Sequence, residues 1–249
     1  MKLTLLVTLA TLLSAAARPT ARGGAAPDDC AKCTIKTPYP TLDSYLNGNC
    51  KWAAATNKKD PQFLPTLATA QHPPLLWIGC ADSRVPETVI TKKRPGDIFV
   101  HRNIANQFHP EDHSANAVLN YGVLHVGVSD VVVVGHTGCG GAKAAYEAVH
   151  PPAKPASHRR AEHEATANDG SDHLNAFLAP LIEVAKGLPS ESTIDDLIVA
   201  NVKKTVENVA ASGTIKAAWA LGKNVTVHGW VYHLDTGLIT DLGVSVGHA

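Results

Sequence analysis

The 249-residue chain is poor in several things. It has one methionine, 5% aromatic residues and 18% charged residues, and its charges cancel to a formal net charge of zero. With an isoelectric point near 7.2, no surplus of either sign would draw it to nucleic acid or to an anionic membrane. It has no internal repeat, which excludes solenoids, and no apolar run of the roughly 18 residues that a membrane-spanning helix needs. The glycine-rich stretch Gly135 to Gly141 lacks the Gly-Lys-Ser/Thr ending of a phosphate loop and the spacing of a dinucleotide fingerprint. The low charge fits a chain that hides much of its surface, as in an oligomer.

What is present concentrates in two stretches. Leu75 to Arg84 reads LLWIGCADSR, an apolar run closed by Gly79 and followed by Cys80, Asp82 and Arg84. Such a run is the pattern of a buried strand in a parallel sheet, and ligands bind beyond the C-terminal ends of these strands. Asp130 to Gly141 reads DVVVVGHTGCGG, with the same pattern before His136 and Cys139. Cys80, His136 and Cys139 together form a Cys2His set, which can hold a catalytic zinc with its fourth position open. Taken singly, each has a plainer account: a small core cysteine, a hydrogen-bonded histidine, or a glycine turn that cradles phosphate.

The N-terminus is a separate segment. Residues 1–17 comprise Lys2, an apolar run from Leu3 to Leu13, and the small residues Ser14-Ala15-Ala16-Ala17. This is the order of a secretory signal peptide, expected to be cleaved near Ala17 and to leave a soluble, extracellular protein. Residues 18–40 are rich in proline, glycine and alanine and are expected to form an irregular arm. The roughly 230 residues left after cleavage suffice for one domain with a sizeable core, placed at 41–249. In an oxidising compartment Cys30, Cys33 and Cys50 are disulfide candidates. Cys30–Cys33 would close a very short loop and is less favoured than either residue pairing with Cys50. The odd cysteine is then free or pairs between chains.

Periodicity and turn residues place two helices within 41–70, the first through Ser44-Tyr45-Leu46 and Trp52 to Ala55 and the second over 62–70, then a short helix over 85–93 begun by Pro86 and a helix over 113–128. Further helices are expected at 174–186, 193–211 and 213–221, and strands at 97–102, 223–232 and 238–242. Residues 150–173, with three prolines and several histidines, read as an exposed inserted loop. Asn224-Val225-Thr226 is a glycosylation sequon at the start of a predicted strand.

At Cys80-Ala81-Asp82-Ser83-Arg84 and Gly135-His136-Thr137-Gly138-Cys139-Gly140-Gly141 the sequence resembles the β-class carbonic anhydrases. Gly96-Asp97-Ile98-Phe99-Val100-His101-Arg102-Asn103 and Val227-His228-Gly229-Trp230-Val231-Tyr232 support the likeness, which runs from about Thr41 to Val246. The resemblance implies a single α/β domain: a mostly parallel four-stranded sheet plus an edge strand, helices on both faces, and an obligate dimer unit, a homodimer or a dimer of dimers. It implies one Zn2+ per subunit on Cys80, His136 and Cys139, with zinc-bound hydroxide hydrating carbon dioxide to bicarbonate and a proton. Asp82 would orient that hydroxide while paired with Arg84, or, released, become the fourth zinc ligand.

The same resemblance gives Gln71, Phe99, Tyr121 and Gly138 to the substrate pocket, with Gln71 reaching into a neighbouring subunit. His125 becomes a candidate proton carrier. Trp77, Arg102 and Tyr232 match a non-catalytic bicarbonate pocket, which points to a bicarbonate-inhibited, pH-switched branch. Core packing is the plainer account of Trp77, Phe99, Tyr121 and Tyr232, and pairing with a carboxylate is the plainer account of Arg102. Two thiolates and a neutral imidazole cancel the charge of Zn2+, so a bound water should ionise less readily than in a three-histidine site, and alkaline pH is expected to favour activity. The rival readings are a carbon disulfide hydrolase-like lyase on the same scaffold, or a catalytically quiet zinc- or bicarbonate-binding protein.

Overall fold

The computed structural model describes residues 33–151 and 171–248. The signal segment, most of the 18–40 arm, Cys30 and nearly all of the 150–173 insertion lie outside those residues. Chain contacts divide the protein into two compact units, Met1–Ala70 and Gln71–Ala249.

In the first unit an extended stretch from Cys33 leads into α1 (Pro40–Lys59), where Pro40 occupies a first-turn position that needs no amide donor. One face of α1 clamps the extended stretch. Asp43 accepts a hydrogen bond from Thr37 N at 2.8 Å, Asn47 accepts from Ile35 N at 2.6 Å, and Asn47 donates to Ile35 O at 3.0 Å. Cys50, on the same face, forms a disulfide with Cys33 across a Cα–Cα distance of 5.7 Å. Elsewhere on α1 the apolar residues Leu42, Tyr45, Leu46 and Trp52 are exposed. α2 (Phe63–Leu67) is shorter than its pattern suggested.

The second unit opens with β1 (Leu75–Cys80). α3 (Glu87–Ile90) follows, one turn long, with Pro86 capping it from outside. β2 (Ile98–Asn103) ends in a tight turn over Ile104–Asn106. α4 (His113–Asn120) is capped by Asp112, whose carboxylate accepts from Ser114 N and Ala115 N at 2.8 and 3.2 Å. The single helix expected over 113–128 is interrupted. From Tyr121 to Val126 it widens into a π turn, stopped by Gly127 in the left-handed region with φ 88°. Gly122 lies within this turn, where an added Cβ would stand 2.7 Å from Leu76 Cδ1, so the wide turn presses on the sheet only because that side chain is missing.

β3 (Asp130–His136) and α5 (Gly140–Val149) come next. α6 (Ser171–Lys186) and α7 (Ile194–Ala210) follow, the latter opened by a reciprocal box in which Thr193 and Asp196 satisfy each other's backbone amides. α8 (Gly213–Ala220), β4 (Thr226–His233) and β5 (Leu238–Asp241) complete the unit. β4 begins at Thr226, so Asn224 is an exposed residue ahead of the strand and not part of it.

The five strands run in the order β2-β1-β3-β4-β5. The first four are parallel, and β5 is an antiparallel edge strand on β4. Alternation along the strands sorts the side chains. Leu76, Ile78, Val131, Val133 and Val227 face the larger core, built with α4 to α8. Trp77, Val132, Val134 and Tyr232 face a smaller one that includes Val85 and is covered by Ile90 of α3. α7 seats on β3 and β4 over glycines: a Cβ on Gly135 would stand 2.7 Å from Val202 Cγ2, and one on Gly229 would meet Val244, Val202 and Val206 at 2.7, 3.0 and 3.2 Å. Gly229→Ala should therefore cost about 1–3 kcal/mol by overpacking, read as a lower urea midpoint; an unchanged midpoint would contradict this packing. Peptide mapping without reductant should join the peptides that carry Cys33 and Cys50.

Candidate metal centre and active site

β1 and β3 are direct neighbours, paired from Leu75↔Asp130 to Gly79↔Val134. This register brings Cys80 and His136, the last residues of their strands, to the same end of the sheet. The Thr137–Gly138 turn, with Gly138 at φ 66°, then places Cys139 at the N-cap of α5. The ligand atoms of Cys80, His136 and Cys139 all lie within 4.8 Å of one another, and all three residues are buried. Neither cysteine is in a disulfide.

The ring of His136 is oriented from behind. Nδ1 lies 3.0 Å from the carbonyl oxygen of Thr137, which can only accept, so the proton is assigned to Nδ1. Nε2 then presents its lone pair to the two sulfurs, and it is buried with no hydrogen-bond partner. A buried ring nitrogen with nothing to bond, facing two free thiols, is a set that zinc fits, with the backbone carbonyl acting as the orienting partner.

The protonation of the group points the same way. A hydrogen bond from Cys139 lowers the Cys80 thiol to about 4, against the effect of burial and with help from His136 and the N–H groups of Asp82 and Ala105. The same pairing with Cys80, then burial, pushes Cys139 up, although the N–H groups of Ala142 and Gly141 at the start of α5 oppose this. One proton is thus shared between two sulfurs. Burial depresses the proton affinity of His136, but the neighbouring Cys80 sulfur, and more weakly Thr137 O and Asp82, outweigh this and leave it raised. A cluster that attracts a proton to its centre is one where a cation can replace that proton.

Asp82 and Arg84 stand at the rim. Arg84 donates from Nε to Asp82 Oδ1 at 2.9 Å and from Nη2 to Oδ2 at 2.7 Å, a bidentate fork, and its backbone N–H also donates to Oδ1 at 2.9 Å. Nη2 reaches Gly138 O as well, at 3.1 Å, which ties the β1 turn to the β3 turn. The Arg84 hydrogen bonds hold the Asp82 carboxyl well below the usual carboxylate range. Asp82 Oδ2 lies 3.9 Å from His136 Nε2, so the carboxylate borders the space between the three donors.

The family described as carbonic anhydrase matches residues 75–239. The chain belongs to the β-class carbonic anhydrases. A carbonic anhydrase of Emericella nidulans is 34% identical over 212 residues, covering 82% of this chain and 84% of the relative. A tetrameric β-carbonic anhydrase from Sordaria macrospora superposes with a TM-score of 0.68 at 33% identity, covering 84% of this chain and all of that one. The Coccomyxa β-carbonic anhydrase in complex with acetazolamide gives a TM-score of 0.70 at 32% identity, covering 82% and 87%. The enzyme is accordingly a lyase with a carbonic anhydrase scaffold and a Cys-His-Cys group that could hold a metal ion.

Other expected site residues are placed differently in this carbonic anhydrase. Trp77 and Tyr232 share the smaller core, and Arg102 pairs in register with Gly79. The Trp77 indole lies over Gly79, where a Cβ would be 2.2 Å from Nε1, and that buried N–H has no partner. Arg102 donates from Nε to Cys80 O at 2.8 Å and from Nη2 to Asp82 O at 2.5 Å. Its Nη1 is 3.6 Å from Glu87 Oε2. Sequence reading did not single out Glu87, since an acidic residue opening a one-turn helix gives no signal of an ion pair with the next strand.

Phe99 pairs with Leu76, four residues before Cys80, which is roughly 13 Å along the strand from the metal site. Tyr121 packs on Phe99 with ring centroids 6.0 Å apart, and His125 stacks on Tyr121 at 5.6 Å. Gln71 is exposed, ahead of β1. The chain does not bring these four to its own Cys80, His136 and Cys139.

Two predictions follow from the donor set. His136→Ala or Cys80→Ser should leave the folded enzyme with close to no tightly held metal, measured by elemental analysis after dialysis. Asp82→Asn, which loses the charged fork to Arg84, should keep the metal and lower turnover by roughly 10–100-fold, the usual cost of an altered outer-shell partner.

Proposed function

We propose that this carbonic anhydrase holds one Zn2+ per subunit on Cys80, His136 and Cys139 and reversibly hydrates carbon dioxide to bicarbonate and a proton. The observation that carries this is the partnerless Nε2 of buried His136, facing two free thiols, with a charged carboxylate at 3.9 Å. When bound, zinc supplies a Lewis acid that activates water as a nucleophile.

The chain's own residues do the rest. Thr137 O keeps the His136 proton on Nδ1, which leaves Nε2 free as a ligand. Arg84 holds Asp82 ionised, so Oδ2 can only accept a hydrogen bond, and it orients a donor beside the metal position. Because the folded-state acidity of Asp82 is shifted below its ordinary value, the dyad is lost only at pH values under the usual carboxylate range. Protonation of Asp82 therefore does not set the pH profile near neutrality; two thiolates and an imidazole make a weakly acidic metal position, so activity is expected to rise toward alkaline pH.

We infer that a second copy completes each site. Gln71, Phe99, Tyr121 and His125 sit away from their own donor set, α1 carries exposed Leu42, Tyr45, Leu46 and Trp52, and the related Sordaria macrospora enzymes are tetrameric. We further propose that Trp77, Arg102 and Tyr232 bind bicarbonate and that its binding favours Asp82 on zinc. The partnerless Trp77 N–H supports this, and Arg102 would exchange a backbone carbonyl for the anion. The disulfide Cys33–Cys50 and the exposed Asn224 sequon support passage through the secretory route after cleavage near Ala17. Among the described residues no helix is long and apolar enough to cross a membrane.

Stopped-flow assays with carbon dioxide and with carbon disulfide test the reaction. Hydration of carbon dioxide that increases with pH is expected, and zinc uptake without it would overturn the assignment. Tyr232→Phe should abolish inhibition by added bicarbonate; unaltered inhibition would remove the proposed anion pocket.

A further inference from the structure

The turn between His136 and Cys139 is anchored on the end of β4. Thr137 N donates to Tyr232 O at 3.0 Å, which extends the β3–β4 ladder one residue past His136. The Thr137 hydroxyl, Oγ1, then accepts from Leu234 N at 3.0 Å, and Leu234 is the first residue beyond β4. With its amide and its side chain both fastened, and with the narrow χ1 choice of a β-branched residue, Thr137 has little freedom to rotate. Leu234 also covers the next residue, since a Cβ on Gly138 would stand 3.5 Å from Leu234 Cδ1.

The outer side of this turn borders an open cavity of about 390 Å3, lined also by Asp195, His233 and Asp235, and Gly138 is exposed. On that side hydrogen bonds, rather than packing, hold the turn. What they hold bears on the metal donors. The carbonyl oxygen of Thr137 is the atom 3.0 Å from His136 Nδ1 that orients the ring. A rotation of Thr137 would swing this acceptor off Nδ1, and the groups that orient a ligating histidine set how well it binds.

We propose that the Thr137 hydroxyl is a positioning group for the metal centre: by accepting the Leu234 N–H it keeps the Thr137 carbonyl on His136 Nδ1, and so aims Nε2 at the two sulfurs. This rests on the reading that Cys80, His136 and Cys139 hold zinc. The hydroxyl touches neither metal nor substrate and acts through the imidazole.

The test uses the full-length enzyme loaded with Co2+, whose visible d–d bands report the geometry of the donors. Thr137→Val keeps the side-chain shape and removes the acceptor. Its bands should shift, and its zinc affinity, measured by competition with a chelator, should fall about 10-fold, the lower end of the usual cost of an altered outer-shell partner. Thr137→Ser keeps an oxygen in place and should return both to near the parental values. Gly229→Ala, which disturbs the same sheet away from the turn, should leave the bands where they are in the parent. A folded Thr137→Val enzyme with parental bands and affinity overturns the proposal. So does a change that Thr137→Ser fails to reverse, or an equal shift in Gly229→Ala, which would mark general loosening of the sheet. Should Thr137→Val fail to fold, hydrogen exchange in the parent decides: slow exchange of Leu234 N–H and of His136 Nδ1–H is expected, and exchange of either at the rate of an open loop overturns the proposal. Failure of the parent to take up Co2+ or zinc would instead defeat the metal assignment.

Discussion

The register of two parallel strands is the constraint from which the site follows. Once β1 and β3 pair with Leu75 opposite Asp130, Cys80 and His136 must emerge at one edge of the sheet. A slip of β3 by one residue would turn its side chains, His136 among them, to the opposite faces. What prevents it is burial on both sides: the valines of β3 alternate between two separate apolar clusters, and none is exposed. The glycines on β3 and β4 let α7 settle close to the sheet, so the helix that closes the larger core also reaches the turn beside Cys80.

Electrostatics then explain why the donors can stay buried. An unpaired thiolate inside a protein is costly, and two are more so. Here Cys139 occupies the N-cap of α5, where the unpaired N–H groups of the first turn and the helix dipole favour negative charge. Asp82 is kept anionic by a guanidinium that is itself largely in water, so the cost of holding that charge at the rim is small. The arrangement suits a dication, which two thiolates neutralise.

The placement of aromatic residues carries a different lesson. Phe99 and Tyr121 pack together toward the far end of the sheet, and α1 leaves an apolar surface in the open. In a chain with so few aromatic residues, such exposure is a large share of what it has to bury. The second copy proposed above would cover it, and the pocket and the assembly would then be two aspects of one interface.

Much of this was legible in the residues. The apolar run before Cys80, the valine run before His136 and the spacing to Cys139 implied two buried parallel strands and a metal set, because burial on both faces leaves a continuous apolar signature and a thiolate pair with imidazole has little other use. The preference of Cys33 or Cys30 for Cys50 was also readable, from loop length. Other features depended on contacts between segments distant in the chain. The π turn at Tyr121 arises where Gly122 meets Leu76 and Phe99, and nothing local announces it. Arg102 reaching the carbonyls of Cys80 and Asp82, Glu87 beside it, and Asn201 donating to Ala105 O at 2.7 Å are all invisible in one dimension, since each joins residues brought together only by the sheet and by the helix packed on it. Local pattern sets which face of a segment is buried; which partner each polar group finds is set by packing, and that exists only in three dimensions.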